Sequence, residues 1–305
     1  MERQKNKSIN LFWKKFKQDT LAVIGLGIII LFCLIALLGP CIRPDSSPNA
    51  NLQNLSIAQL PPLSNIDVTF CSTDGVFHTE SKTFILGTDR LGRDILSRLM
   101  AGTYISLLVG WIAVCMSLII GLTLGVIAGY YRGWIDHVLS WIINVFWSIP
   151  GLLVVMAFIL AFGTGFWKVF IAVGLTMWVE VARVARGQVL SIREKEYIEA
   201  ARSIGASDFS IMYRHILPNI MPPIIVISAA NFASAILIES GLSFLGLGTQ
   251  IPAPSWGNMI RENYSMITTS QAYLAIAPGL LIMITVLSLM YIGNGLRHAL
   301  DVKSS

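Results

Sequence analysis

Five stretches of this chain carry no Asp, Glu, Lys or Arg: residues 20–42, 99–131, 138–167, 215–238 and 263–296. Each is longer than the ~20 residues that carry an α-helix across a ~30 Å hydrocarbon core. In lipid every backbone polar group has to be satisfied within the protein, so such runs leave helices as the economical solution. Charged residues make up only 13% of the 305 residues and the mean hydropathy is +0.68. A soluble domain holds about a quarter charged residues. The chain is therefore expected to be an all-α, polytopic membrane protein. A weaker stretch, 166–182, has Lys168 near one end and Glu180 near the other, and is counted as a sixth span.

The first span follows Arg3, Lys5, Lys7, Lys14, Lys15 and Lys17. It is longer than the apolar region of a signal peptide, and Leu38-Gly39-Pro40 does not fit a small-residue cleavage site, so it reads as a retained helix. With six spans, 15 Lys and Arg fall on one side and 7 on the other. The positive-inside bias then places both termini and the 183–220 segment in the cytoplasm. The net charge of +5 expresses that bias and gives no reason to invoke nucleic acid. Cys33 and Cys115 fall within spans, and Cys41 and Cys71 fall outside, where pairing and free thiols both remain open.

Along the chain, 43–85 is rich in Pro, Ser and Asn and reads as an irregular excursion. After it, Ile95, Leu96, Leu99 and Met100 at helical spacing, with Arg93, Asp94 and Arg98 off the stripe, fit either a short interfacial helix or a helix end packed on the bundle with solvated charges. Gly121, Gly125 and Gly129 stand four apart and make a flat groove for another helix. Two divisions are expected. Residues 1–100 hold the N-terminal arm, first span and excursion; 101–305 hold a five-helix core with a polar segment at 186–220.

That polar segment carries the most information. Ser191 and Glu194 have capping-box spacing, Gly205 suits a helix end, and Ser207 can cap a second helix over 208–216. Pro218 disfavours helical geometry at Leu217 and is expected to close it. Tyr197, Ala201 and Ile204 would share one face, and Glu199 can reach Arg202. An ordinary loop needs neither two capped helices nor a fixed spacing between them.

Glu199-Ala200-Ala201, Gly205 and Leu217-Pro218, at these spacings, resemble the signature of the membrane subunits of bacterial ABC importers. His215 departs from it at a position usually held by isoleucine. The stretches 86–94, 243–248, 255–259 and 295–301 resemble the second permease subunit of the dipeptide and oligopeptide branch. The resemblance implies a type I ABC importer permease in the bacterial inner membrane. It also implies a second permease subunit, two ATPases that bind the ATP, and an extracytoplasmic solute-binding protein. Glu199, Ala200, Ala201, Gly205, Leu217 and Pro218 would couple to an ATPase. Asp89, Arg90, Arg93 and Trp256 are candidate contacts for the binding protein, and Asp301 for the ATPases. Cargo would be peptides or, on the same machinery, nickel chelates, glutathione or another small solute.

No Gly-x4-Gly-Lys-Ser/Thr loop is present to cradle phosphates, and no nucleophile–base or metal-type motif points to an enzyme. The rival reading is an ion-coupled transporter built on Glu180 and Glu239, ionisable groups within spans. They form no relay across the bilayer, and Arg183, one turn from Glu180, can offset its charge.

Overall fold

A computed structural model describes residues 11–71, 77–250 and 252–300, with the backbone alone over 68–80. Among the described residues, ten helices follow a helical stretch at 11–18. In chain order these are α1 (Thr20–Ile42), α2 (Ile95–Tyr131), α3 (Gly133–Ser148), α4 (Gly151–Phe162) and α5 (Phe166–Arg193). They continue with α6 (Glu196–Ser203), α7 (Asp208–Ile211), α8 (Leu217–Phe244), α9 (Trp256–Asn263) and α10 (Tyr273–Leu300).

Among the described residues, four helical stretches are long and apolar enough to cross a membrane: α1, α2, the continuous run Asp208–Phe244, and α10. The expected third span is not straight. α3 and α4 meet at 89° across Ile149-Pro150, and count as a fifth span only together. The reason is local. Proline disfavours helical geometry in the residue before it, and Ile149 is extended at φ −98°, ψ 128°. The expected sixth span lies in α5, long enough at 28 residues but less apolar, because Lys168, Glu180, Arg183 and Arg186 fall within it.

The chain divides into two compact units. One takes the chain up to Ile30, Leu108–Glu239 and the chain from Met283; the other takes Leu31–Leu107 and Ser240–Ile282.

In the first unit, the glycine row of α2 lies directly against α5. A Cβ on Gly121 would stand 2.6 Å from the Trp178 carbonyl oxygen, and one on Gly125 2.5 Å from that of Ala182. At Gly129 it would meet the Val189 Cβ at 2.7 Å. The groove is therefore filled within the chain. Arg186 Nε and Nη2 donate to both Asp136 oxygens at 2.5 and 2.8 Å, tying α3 to the same helix.

The second unit corrects two expectations. Residues 43–85 are not irregular throughout. Strands β1 (Ser64–Cys71) and β2 (Phe77–Phe84) form an antiparallel hairpin, Ser64 opposite Phe84 and Cys71 opposite Phe77. The alternation of Ile66, Val68 and Phe70 with Asp67 and Thr69 is the strand period. Cys41 is exposed, whereas the Cys71 side chain lies outside the described part. Nor is there a separate interfacial helix at 95–100. Ile95 starts the 37-residue α2, and Arg93, Asp94 and Arg98 are buried.

The two arginines are ion-paired, and the Asp94 carboxylate accepts from the Ser97 N–H and Oγ. Arg93 Nε lies 2.7 Å from Asp89, and its Nη2 2.6 Å from Glu262 Oε2, which Arg98 also reaches at 2.9 Å. Asn51 Oδ1 accepts from Arg93 at 3.2 Å. One carboxylate, Glu262, thus serves two buried guanidinium groups. Removing one member of a buried pair strands the other, at a cost of about 3–5 kcal/mol. Glu262→Ala should therefore lower the melting temperature of the detergent-solubilised protein clearly, while Glu196→Ala, on an exposed carboxylate, should leave it unchanged in the same thermal scan.

Trp256 is fully buried in the second unit. Its Nε1 donates to the Leu99 carbonyl at 3.3 Å, and its ring packs edge-on to Phe32 with centroids 6.1 Å apart. The motifs 243–248 and 255–259 close on each other here. Ser255 Oγ donates to Ser243 Oγ at 3.1 Å, and Asn258 Nδ2 to Thr249 Oγ1 at 3.1 Å. Gly257 sits where a Cβ would be 2.4 Å from the Ser240 carbonyl oxygen. Their residue types are explained by this packing.

Candidate functional site

The 186–220 segment is anchored on the core of the first unit. Val181, Ala185, Val189 and Ile192 make one stripe of α5, and Ile198, Ile211, Ile216, Ile220 and Ile224 join it with Val126 and Tyr130 of α2. This stripe explains why α5 runs through Ser191, which is not the expected cap. The apolar spacing continues to Ile192, so burial holds the helix to Arg193. α6 then starts after Lys195, with no side-chain cap.

Gly205 is left-handed at φ +86°, as a helix end requires, and its N–H donates to the Arg202 carbonyl at 3.0 Å. Ser207 caps α7, its Oγ accepting from the Ser210 N–H at 3.3 Å. The second helix does not stop at Pro218. α7 leads into a π turn over Met212–Ile216, and Leu217 is helical at φ −53°, ψ −48°. A proline within an α-helix has no N–H and crowds the carbonyl four residues back. The π turn widens the helix at this point, and Leu217 N–H donates to the carbonyl of Met212, five residues back.

His215, where isoleucine is expected, is half-buried, and the apolar anchor comes instead from its neighbours Ile211 and Ile216, both fully buried. Ala201 is half-buried against the same core, so it does not share an open face with Tyr197 and Ile204. Glu199, Ala200, Gly205 and Pro218 are exposed, and Leu217 is half-buried. Around them stand apolar side chains that the motif does not name. Ile204 is 87% exposed, Phe209 73% and Tyr213 62%. The last two rings stack parallel, centroids 6.0 Å apart. Their i,i+4 spacing was the available sequence signal.

Beneath this surface lies a polar brace. Tyr130, at the end of α2, donates to Asp208 at 2.6 Å, and Arg202 Nη2 reaches the Tyr130 oxygen at 3.4 Å. Arg193 donates to the Tyr130 carbonyl, and Arg132 pairs with Glu194. Arg202 thus turns to Tyr130 rather than Glu199. The Tyr130 hydroxyl holds the Arg202 guanidinium above its ordinary pKa, whereas burial, with Arg132 and Arg202 nearby, pulls that of Arg193 down.

The second group of sequence candidates is placed differently. Asp89, Arg93 and Trp256 lie inside the second unit, in the ion-pair network and under the 255–259 turn. Of the four, only Arg90 is exposed; it donates to Ser265 Oγ at 2.5 Å and to the Glu262 carbonyl at 3.2 Å. Asp301 lies outside the described residues.

Glu180 and Glu239 are separated by their surroundings. Glu239 is fully buried. Glu180 is half-buried in a cavity of about 350 Å³ at the α3–α4 bend, and it forms no ion pair with Arg183. The Arg183 guanidinium lies over the Trp147 ring at 3.9 Å and donates to Asn144 Oδ1 at 3.2 Å.

Comparison with known proteins agrees with this architecture. The family model of the binding-protein-dependent transport system inner membrane component matches residues 121–303. That of the N-terminal transmembrane domain of oligopeptide transport permease C matches residues 9–62. A glutathione transport system permease protein of Pectobacterium atrosepticum is 36% identical over 96% of this chain and 90% of its own length. A dipeptide transport system permease protein of Bacillus subtilis is 37% identical over 95% and 84%. The oligopeptide permease protein OppC of the same organism is 34% identical over 99% and 93%. Among solved structures, the inward-facing MetNI methionine ABC transporter matches 68% of this chain and 96% of its own, with a TM-score of 0.56 at 19% identity, a likeness of fold.

Proposed function

We propose, since the chain belongs to the family of binding-protein-dependent transport system inner membrane components, that it forms half of the translocation pathway of an ATP-driven importer of di- and oligopeptides. The observation that carries the coupling half of this reading is the surface around Gly205. Two short helical pieces, α6 and the run of α7 with its π turn, joined at Gly205 and anchored by Ile198, Ile211 and Ile216, present Glu199, Ala200, Ile204, Phe209 and Tyr213 to a partner. Small and apolar side chains there allow close approach to a groove on an ATPase. When two ATPases close on ATP, they would push α6 as a unit. The brace of Tyr130, Asp208 and Arg202 would pass that push to α2, and the shared apolar core to α5 and α8. The chain would pair with a second, similar permease subunit. Its termini and the 186–220 segment would face the cytoplasm, and a solute-binding protein would dock on the opposite side, where exposed Arg90 is the remaining contact of those expected. ATP would be bound by the partners.

Relatives named for dipeptide, oligopeptide and glutathione transport support a cargo with peptide-like groups. Uptake by the reconstituted complex should survive collapse of the proton gradient and stop on removal of ATP. Uptake that instead follows the gradient would sink the reading in favour of ion coupling through Glu180 or Glu239.

A further inference from the structure

The cavity at the α3–α4 bend is lined by polar groups that packing alone does not require. Its walls come from α3, the Ile149-Pro150 link, α4, α5 and α8. Phe146, Trp147, Ile149 and Leu152 make them largely apolar. Set into that lining are Glu180 and Asn231. Glu180 makes no ion pair among the described residues, and the guanidinium of Arg183, three residues on, is engaged by Trp147 and Asn144. Asn231 is 1% exposed, and its amide nitrogen has no hydrogen-bond partner among the described residues. A buried donor left unmade is costly, so a partner for it is to be expected. An ionisable side chain in a spanning region marks a pathway more often than a packing site.

We infer that this cavity is a way-station for cargo which recognises an α-ammonium group beside a carbonyl or carboxylate. The ammonium would donate to the Glu180 carboxylate, and the neighbouring oxygen would accept from Asn231 Nδ2. A single negative charge between apolar walls concentrates the field on a cation. The surrounding Phe146, Trp147 and Leu152 give side chains of different shapes an apolar surface without selecting one. The volume of about 350 Å³ is at the lower end of ligand pockets, which suits the leading residue of a peptide or the γ-glutamyl end of glutathione. The inference rests on the importer reading and adds the chemical group recognised inside the membrane.

The test uses the complete complex, with unaltered binding protein, in proteoliposomes. Uptake of a labelled dipeptide and of glutathione is measured separately, beside ATP hydrolysis stimulated by the loaded binding protein. Glu180→Gln should lower uptake of whichever cargo is carried by about tenfold or more, the scale of a lost charge-assisted hydrogen bond. Stimulated hydrolysis should stay within about twofold, since the 186–220 surface is untouched. Glu180→Asp, which keeps the charge, should restore part of the uptake, and Asn231→Ala should show a smaller loss than Glu180→Gln. A dipeptide with a photoreactive second side chain should label the 146–154 stretch in the wild type and not in Glu180→Gln. Wild-type uptake and labelling in both Glu180→Gln and Asn231→Ala would overturn this inference alone. A wild-type complex that carries neither cargo would overturn the peptide reading along with it.

Discussion

Gly205→Pro should stop ATP-driven uptake while the protein still inserts and assembles. Proline is held near φ −65°, and Gly205 stands at +86°, so the turn between α6 and α7 cannot keep its path. The substitution also removes the N–H that reaches the Arg202 carbonyl. Both losses fall on the join that aims α6 relative to α8. Gly205→Ala separates direction from bulk. No atom lies within 4 Å of an added Cβ, so the alanine meets only the left-handed penalty of about 1–2 kcal/mol. It should keep most of the uptake. Glu199→Lys provides the complementary test, because Glu199 is exposed and makes no ion pair among the described residues. A charge reversal there should leave the fold intact and lower uptake at least about tenfold through the lost partner contact. The measurement is uptake per molecule of hydrolysed ATP in complexes matched for subunit content. Normal coupling in both Gly205→Pro and Glu199→Lys would refute the lever.

Gly125→Leu should keep the chain from reaching a stable fold. Its Cβ would stand 2.5 Å from the Ala182 carbonyl oxygen and 3.0 Å from the Ala182 Cα. These are backbone atoms of α5 and cannot rotate aside, so the two helices must separate. Forced overpacking costs about 1–3 kcal/mol, and a whole isobutyl group against backbone belongs at or above the top of that range. The same helices carry Val181, Ala185, Val189 and Tyr130, so separation would also loosen the footing of α6. A fluorescence-detected thermal scan in detergent should show a large fall in melting temperature, or loss of the monodisperse peak. Gly27→Ala, with nothing within 4 Å of the added methyl, should be neutral. If Gly125→Leu melted with the wild type, the close contact of α2 and α5 would be wrong.

How much of this could be read from the residues depended on whether the cause was local. Gly205 and Ser207 act through their own backbone geometry and stand where the spacing put them. The Gly121–Gly125–Gly129 row was legible as a contact, and the structure supplies α5 as the partner. Ser191 failed as a cap because a long apolar stripe outweighs a capping signal worth about 1 kcal/mol. Pro218 failed as a stop because a π turn ahead of it removes the clash, and no residue type announces such a turn. The strand alternation at 66–70 was present but hidden in a Pro- and Asn-rich setting. Arg93 and Arg98 looked like solvated charges because Glu262, which neutralises both, lies more than 160 residues away in sequence. Helical spacing places Ala201 on one face with Tyr197 and Ile204 but does not say which way that face turns; the residue packs on the core.

The π turn over Met212–Ile216 also bears on how this segment can change by insertion and deletion. A π turn holds one residue more than the α-helix that would join the same flanks. Losing that residue would restore regular pairing and keep both flanks in phase, but Pro218 would then crowd a carbonyl in an unwidened helix. Keeping the residue and replacing Pro218 would leave a widened turn with nothing to accommodate. The extra residue and the proline therefore form a matched pair. A descendant of this chain that sheds one should shed the other, shortening the interval between Gly205 and the end of the motif by one.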